Sequence, residues 1–221
     1  MHENNDNEIV ESFTKTMWHS GLEGISEEVL ELPLDSILKD ESLKDIPIIG
    51  YMFKASHLII TIRDRLFLQK VLKFLKELKT IDANRRNNFS KRITTDLKFR
   101  NKLTSNLLLL IERQENIDKA SILGKVFRAY INEDVDYKMF MRLSSVIDKS
   151  FLEDLQNITS YYNDIDKIEI SIGENLYRSG LVDVNHGIKD LDENNTIMGY
   201  TTKQYLRNDL GTSLAMIISK Y

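Results

Sequence analysis

The 221-residue chain has no cysteine, only two prolines and nine glycines. Without cysteine it forms neither disulfide bonds nor thiolate metal sites, and such a composition is typical of a reducing cytoplasm. Proline and glycine mark turns, so their scarcity favours helices over a turn-rich β-sandwich. The sequence therefore predicts a cytoplasmic, mainly α-helical protein.

Common catalytic and metal-binding motifs are also missing. The four histidines are His2, His19, His57 and His186. No two of them have the spacing that places two metal ligands on one helix face. There is no glycine-rich phosphate loop and no G-x-S-x-G motif. We therefore predict a protein that is not an enzyme and that uses no metal or other cofactor.

No run of about 18 apolar residues, the length that crosses a bilayer, occurs in the chain. The nearest approach is the stretch 46–62, which Lys54 and His57 interrupt. Residues 1–12 are acidic and polar, so we expect neither a signal peptide nor a transit peptide.

Charge is distributed unevenly along the chain, whose net charge is −4. Counting Asp, Glu, Lys and Arg gives −9 for residues 1–50, +9 for 51–120, +1 for 121–150 and −5 for 151–221. One interpretation is intramolecular, with the acidic N-terminal helices lying on the basic central ones. The other is an anionic partner: a nucleic acid, a lipid surface or an acidic protein.

The stretch from Ile46 to Lys79 is the longest apolar segment and opens with Pro47 and Gly50. Proline is well placed in a first helical turn, where its missing N–H costs little. Leucine and valine then recur at helical spacing between 68 and 78. These features predict one long helix or two nearly collinear helices. The apolar part, 46–62, is expected in the core, with insertion at a membrane interface as the alternative.

Residues 82–102 form the most basic segment, with aromatic residues between the cations. Single-strand nucleic-acid binders combine cations and aromatics in this way. However, Phe89, Ile93 and Leu97 recur every four residues, which predicts a buried helical face. The cations of this region form our candidate surface for an anionic partner, which comprises Arg63, Arg65, Arg85, Arg86, Lys91, Arg92, Lys98 and Arg100.

The last 70 residues differ from the rest of the chain because they include predicted strands. Helical segments are followed by two predicted strands, 184–191 and 197–206, and by a final helix near 212–219. Together with the segments LYRSGLVD and YLRNDLGTSLAMII, this order resembles a winged-helix module. We therefore predict a helical body at 1–150, with its basic centre at 51–120, and a winged-helix-like α+β module at 151–221. The module is acidic and its helix near 171–179 has one cation, Arg178, so protein docking is favoured over DNA binding.

Most of residues 46–221 resembles an uncharacterised family of bacterial and prophage proteins of similar size. The resemblance depends on the block IPIIG…IRDR…FL, on KASILGKVFRAYI and on the wing-like end. It implies a bacterial or phage origin and a helical body with a winged-helix-like tail. It transfers no activity and no functional residue. An association of such proteins with phage defence suggests a role in phage–host conflict.

Three functional hypotheses follow. The leading one is a cytoplasmic interaction or regulatory protein whose tail docks a protein partner. The second is a membrane-active effector that uses residues 46–102 and associates peripherally with anionic lipid. The third is a nucleic-acid binder that uses the basic central helices.

Overall fold

The computed structural model describes residues 2–18, 22–37, 40–55, 61–191 and 197–221. In these residues the chain is mainly helical, as predicted, with one small antiparallel sheet. It forms two compact units, residues 1–136 and 137–221. The helix at 137–149, which the predicted boundary at 150 assigned to the body, belongs to the second unit.

The first unit is built from helices throughout its described residues. They are α1 (His2–Trp18), α2 (Glu27–Glu31), α3 (Leu34–Ile37), α4 (Pro47–Ala55), α5 (Ile62–Lys79), α6 (Ala83–Thr94), α7 (Leu97–Arg113) and α8 (Ile117–Ile131), with a 3-10 turn at Glu41–Asp45. Helices α5 and α8 make the most extensive helix–helix contact of this unit.

The central apolar stretch forms two helices, α4 and α5, rather than one long helix. Pro47 opens α4, and Ile48 and Ile49 are buried in the first unit. Helix α5 begins afresh at Thr61, whose hydroxyl caps the N–H of Asp64 while the Asp64 carboxylate accepts from the Thr61 N–H at 2.9 Å. His57 and the rest of 56–60 lie outside the described residues.

An aromatic cluster fills the core of the first unit. The ring centroid of Trp18 lies 5.3 Å from that of Phe89, and the centroid of Phe74 lies 5.6 Å from that of Phe127. Such tilted pairs bury large apolar areas and add about 0.5–1.5 kcal/mol each beyond burial. Trp18, the only tryptophan of the sequence, is therefore a core residue.

The basic segment 82–102 is interrupted between α6 and α7. Asp96 ends the irregular link and caps α7, accepting from the N–H of Phe99 at 2.9 Å. Phe89 and Ile93 are buried as expected, but Leu97 is 57% exposed, so its predicted burial is wrong. The helical period restarts at Asp96 and turns Leu97 away from the core.

Within its described residues, the second unit contains four helices and two paired strands. They are α9 (Tyr137–Lys149), α10 (Leu152–Asn163), α11 (Ile170–Ser179), β1 (Val182–Leu191), β2 (Ile197–Arg207) and α12 (Asp209–Lys220), with a 3-10 turn at Ile165–Lys167. Strands β1 and β2 are antiparallel, with Val182 opposite Arg207 and Val184 opposite Tyr205. The predicted turn at 192–195 lies outside the described residues.

Gly180 ends α11 in the left-handed conformation, with a φ of 84°, and turns the chain into β1. The hairpin is then fixed to the helices by two buried tyrosines. The Tyr162 hydroxyl donates to the carbonyl of Leu181. The Tyr205 hydroxyl donates to the carbonyl of Ile170 at 3.2 Å.

Candidate interaction surfaces

The predicted anionic-partner surface is spread over three helices of the first unit. Its residues occupy the first turn of α5, the length of α6 and the start of α7. Its arginines include Arg63, Arg85 and Arg92, which are used within the unit. Arg63 pairs with Glu112, Arg85 donates to the carbonyl of Asn132, and Arg92 lies 2.8 Å from a carboxylate oxygen of Glu133.

The hydrogen bond of Arg85 and the ion pair of Arg92 hold the loop after α8 against α6. Arg92 also lies over the ring of Phe89, 4.9 Å from its centroid. Arg65, Arg86 and Arg100 are half-buried, whereas Lys91 and Lys98 are exposed. The structure therefore gives most of the predicted arginines a packing or pairing role and leaves the two lysines on the surface.

The ion pairs between elements in the described residues also identify acids that pair with the basic central helices. Lys73 of α5 lies 3.6 Å from Asp118 of α8, and the partners of Arg63 and Arg92 come from α7 and the loop after α8. These acids belong to the central part of the chain. The N-terminal part of the chain contributes a backbone contact, from the Lys79 ammonium to the carbonyl of Glu23 at 3.2 Å, in the turn before α2. It also contributes two charge interactions with the basic centre, of Glu11 with Arg100 and of Glu28 with Lys79.

A cleft of about 750 Å³ lies between α1, α5 and α7 of the first unit. Its lining is mostly apolar and includes Phe67, Leu108 and Leu109. The ion pair between Arg63 and Glu112 lies in the same lining. Ile62 and Leu66, one turn apart on α5, are exposed. This is an apolar surface of the helical body.

Helix α11 of the second unit has one face on the hairpin and one face in solvent. Gly173, Leu176 and Ser179 are buried. At the edge of this buried side Ile170 is 73% exposed and Tyr177 is 51% exposed. These two residues lie two helical turns apart on the same side of the helix.

Charge around α11 is locally neutralised. The Glu174 carboxylate accepts from the Lys203 ammonium at 2.6 Å and from the Tyr205 hydroxyl at 2.9 Å. The hydrogen bond from Lys203, and then that from Tyr205, lower the pKa of Glu174 below its usual value. Arg178 is exposed beside Tyr177. The exposed residues of α11 are Ile170, Ser171, Tyr177 and Arg178, so its solvent side combines two large apolar or aromatic side chains with a single cation.

A second cleft, of about 470 Å³, lies between α10 and α12 within the second unit. It is lined by Thr159, Tyr162, Asn163, Arg207, Thr212, Ala215, Met216, Ser219 and Lys220. The Arg207 guanidinium is anchored there, because its Nε donates to the carbonyl of Tyr162 at 2.7 Å and its Nη2 to that of Asn163 at 3.2 Å. This lining contains two cations and no carboxylate.

Sequence reasoning did not identify this cleft or the exposed face of α11. The spacing of Ile170 and Tyr177, seven residues apart, places them on one side of a helix, but spacing alone does not indicate whether that side is buried or exposed. The cleft had no such signal, because α10, β2 and α12 each supply part of its lining. Of the histidines, His186 is exposed on β1, whereas His19 and His57 lie outside the described residues.

The described residues contain no group of three or more His, Cys, Asp or Glu side chains placed to hold a metal ion. Within the same residues, none of the helices combines the length and the apolar character needed to cross a membrane.

The chain matches no family model, no curated protein and no solved structure.

Proposed function

We propose that this chain is a non-enzymatic interaction or regulatory protein of bacterial or phage origin. In this proposal the second unit is a winged-helix-like module that docks a protein partner through the solvent face of α11. The order of helices, hairpin and terminal helix supports the winged-helix likeness. The sequence resemblance supports a setting in phage–host conflict.

The exposed pair Ile170 and Tyr177 is the observation that carries the proposal. Large exposed apolar and aromatic side chains are typical of the centre of a protein–protein interface. Tyrosine combines a large apolar area with a polar tip and loses little entropy when it is bound. We expect the partner to offer an apolar pocket to these two residues and a carboxylate to Arg178.

DNA binding by the second unit is less well supported. Residues 137–221 contain nine Lys and Arg against twelve Asp and Glu. Glu174 lies on α11 itself and engages Lys203. Contacts with phosphate supply most of the affinity for DNA, and α11 offers only Arg178 for them.

The test is a pull-down from the source organism with three forms of the full chain as baits. They are the wild type, the double variant Ile170→Asp with Tyr177→Asp, and the control Gln156→Asp, which lies at an exposed position of α10. We expect a nuclease-resistant partner to copurify with the wild type and with the control, and to be lost with the double variant. Capture that is unchanged in the double variant, or that nuclease abolishes, overturns the proposal.

A nucleic-acid-binding role for the first unit is the second candidate, because Lys91 and Lys98 are exposed on α6 and α7. Arg85 and Arg92 are unsuitable for the test, since both also contact the loop after α8 and their replacement would change those contacts as well. Lys91→Glu with Lys98→Glu is the better variant. Binding to a labelled oligonucleotide that weakens with salt and in this variant supports the candidate.

The membrane-active alternative has less support from the described part of 46–62. Ile48, Ile49 and Met52 are buried in the first unit, so they offer no surface for insertion in this conformation. Cofractionation with anionic vesicles that is lost in Lys54→Glu with Arg65→Glu supports a peripheral role. Recovery entirely in the soluble fraction rules it out.

A further inference from the structure

We propose that the cleft between α10 and α12 binds an extended acidic peptide segment of a partner protein. The proposal rests on the proposed protein-docking role of the second unit, but it concerns a different face from that of α11. It also specifies the chemistry of the partner, namely carboxylates separated by an apolar side chain.

The charge of the cleft is opposite to that of the unit that contains it. Residues 137–221 carry an excess of acids, yet the cleft is lined by Arg207 and Lys220 and by no acid. An anionic ligand is thus attracted at the cleft and repelled by the unit elsewhere. Such a pattern favours one docking position over others.

The guanidinium of Arg207 is held in a position in which it can bind a carboxylate. Its two bonds to the carbonyls of Tyr162 and Asn163 fix the guanidinium at the C-terminal end of α10. A guanidinium has five N–H donors, and these bonds use two of them. The group is therefore held in place before a ligand arrives, which lowers the entropic cost of binding.

The length of the cleft indicates an extended ligand. Tyr162 of α10 lies near Asn208, at the start of α12, so Arg207 marks this end of the cleft. Lys220 belongs to the last turn of α12. From Thr212 to Lys220 the helix rises about 12 Å, the reach of three to four extended residues.

The part of the cleft between the cations accepts an apolar side chain. Met216 is 60% exposed and lines the cleft together with Ala215. Methionine is flexible and polarizable, so it adapts to ligands of different shape. The hydroxyls of Thr212 and Ser219 lie in the same lining and offer hydrogen bonds to a peptide backbone.

The experiment measures binding of a short fluorescein-labelled peptide that alternates Glu and Leu to the full chain. The comparison peptide has Gln in place of Glu. The variants are Lys220→Glu, Met216→Asp and, as a charge-matched control, Lys149→Glu at an exposed position of α9. Arg207 is left unchanged because it ties β2 to α10.

We expect the Glu peptide to bind, with an affinity that falls with salt. Lys220→Glu and Met216→Asp should each weaken binding by about tenfold, and Lys149→Glu by less than about twofold. Absence of binding, equal binding of the Gln peptide, or equal effects of Lys220→Glu and Lys149→Glu overturns the proposal. Displacement of the peptide by an equal concentration of inorganic phosphate overturns it in favour of a simple anion site.

The two proposals fail separately. The Ile170→Asp with Tyr177→Asp variant should bind the Glu peptide as the wild type does, since α11 does not line the cleft. Lost peptide binding in this variant overturns the assignment to the cleft. Unchanged peptide binding together with unchanged partner capture overturns only the role of α11.

Discussion

The ring of Tyr205 lies directly against Gly173, at a spacing that leaves no room for a Cβ on α11. The Tyr205 hydroxyl reaches past the glycine to Glu174 at 2.9 Å and to the carbonyl of Ile170. One side chain of β2 therefore sets the distance between the hairpin and α11. Because α11 also presents the proposed docking face, this contact determines how that face is held.

Gly173→Ala should destabilise the second unit by about 1–3 kcal/mol, the usual cost of overpacking a closely packed site. In an ordinary helix the same change stabilises by about 0.5–1 kcal/mol, since glycine is a poor helix former. The sign of the effect is therefore diagnostic. Urea unfolding followed by circular dichroism measures it.

Ser171→Ala is the matched control for that prediction. It lies on the same helix but is exposed, so we expect a change below about 0.5 kcal/mol. A Gly173→Ala protein that is as stable as the wild type, or more so, contradicts the close contact with Tyr205.

Much of the architecture followed from local signals in the sequence. Ser26 caps α2, accepting from the N–H of Val29 at 3.3 Å, and a serine before two glutamates is a typical N-terminal helix signal. The two strands lie within two residues of their predicted limits. These signals are local, since a cap or an alternation depends on a few neighbouring residues.

Other features were not predicted because the regular spacing of apolar residues was given more weight than an N-cap residue. Asp96 is a typical N-cap residue, but Phe89, Ile93 and Leu97 matched one helical face and the start of a new helix was overlooked. The clefts could not be predicted at all. Residues as distant as Thr159, Arg207 and Lys220 converge only when the hairpin returns the chain to α10.

Helices α5 and α8 approach closely at Gly124. A Cβ at this position would lie 2.7 Å from the carbonyl oxygen of Phe74, a backbone atom that cannot move alone. Gly124→Ala should therefore destabilise the first unit by about 1–3 kcal/mol, and Gly124→Val by more. Trp18 is the only tryptophan and is buried in this unit, so its fluorescence reports the unfolding.

Lys125→Ala, at the next position of α8, serves as the control for the glycine series. Its side chain is half-buried, so its removal should lower the free energy of unfolding by less than about 1 kcal/mol. Equal stabilities of the Gly124→Ala protein and the wild type contradict the tight packing of α5 on α8.

Helix α8 ends in a Schellman motif with a residue other than glycine in the left-handed position. Glu133 has a φ of 64°, its N–H donates to Tyr130, and the N–H of Asp134 donates to Ala129 at 2.9 Å. Glu133→Gly should stabilise the first unit by about 0.5–1 kcal/mol, as improved helix caps do. The exposed pair with Arg92 that is lost is worth less than this gain.

Glu133→Ala separates the two contributions, since it removes the ion pair but keeps a Cβ in the left-handed region. We expect it to destabilise relative to the wild type in the same tryptophan-fluorescence assay. If the glycine and alanine variants lose stability equally, the ion pair matters more than the backbone conformation.

The buried hydroxyl of Tyr162 makes the second unit sensitive to alkaline pH. Burial raises the pKa of Tyr162 to about 12, against about 10 for an unfolded tyrosine. The unfolded chain therefore loses this proton first. The contribution to stability is complete below about pH 10 and is lost as the pH rises through about 12, at up to about 1.4 kcal/mol per pH unit.

Tyr162→Phe isolates this effect in urea unfolding between about pH 9 and pH 12, the interval that the two pKa values define. The variant should lose about 1 kcal/mol at neutral pH, because the carbonyl of Leu181 loses its hydrogen bond. Its stability should then fall less steeply with pH than that of the wild type. Tyr177→Phe removes an exposed hydroxyl instead and should retain the wild-type slope. Equal slopes for the Tyr162→Phe protein and the wild type would show that other groups cause the alkaline loss.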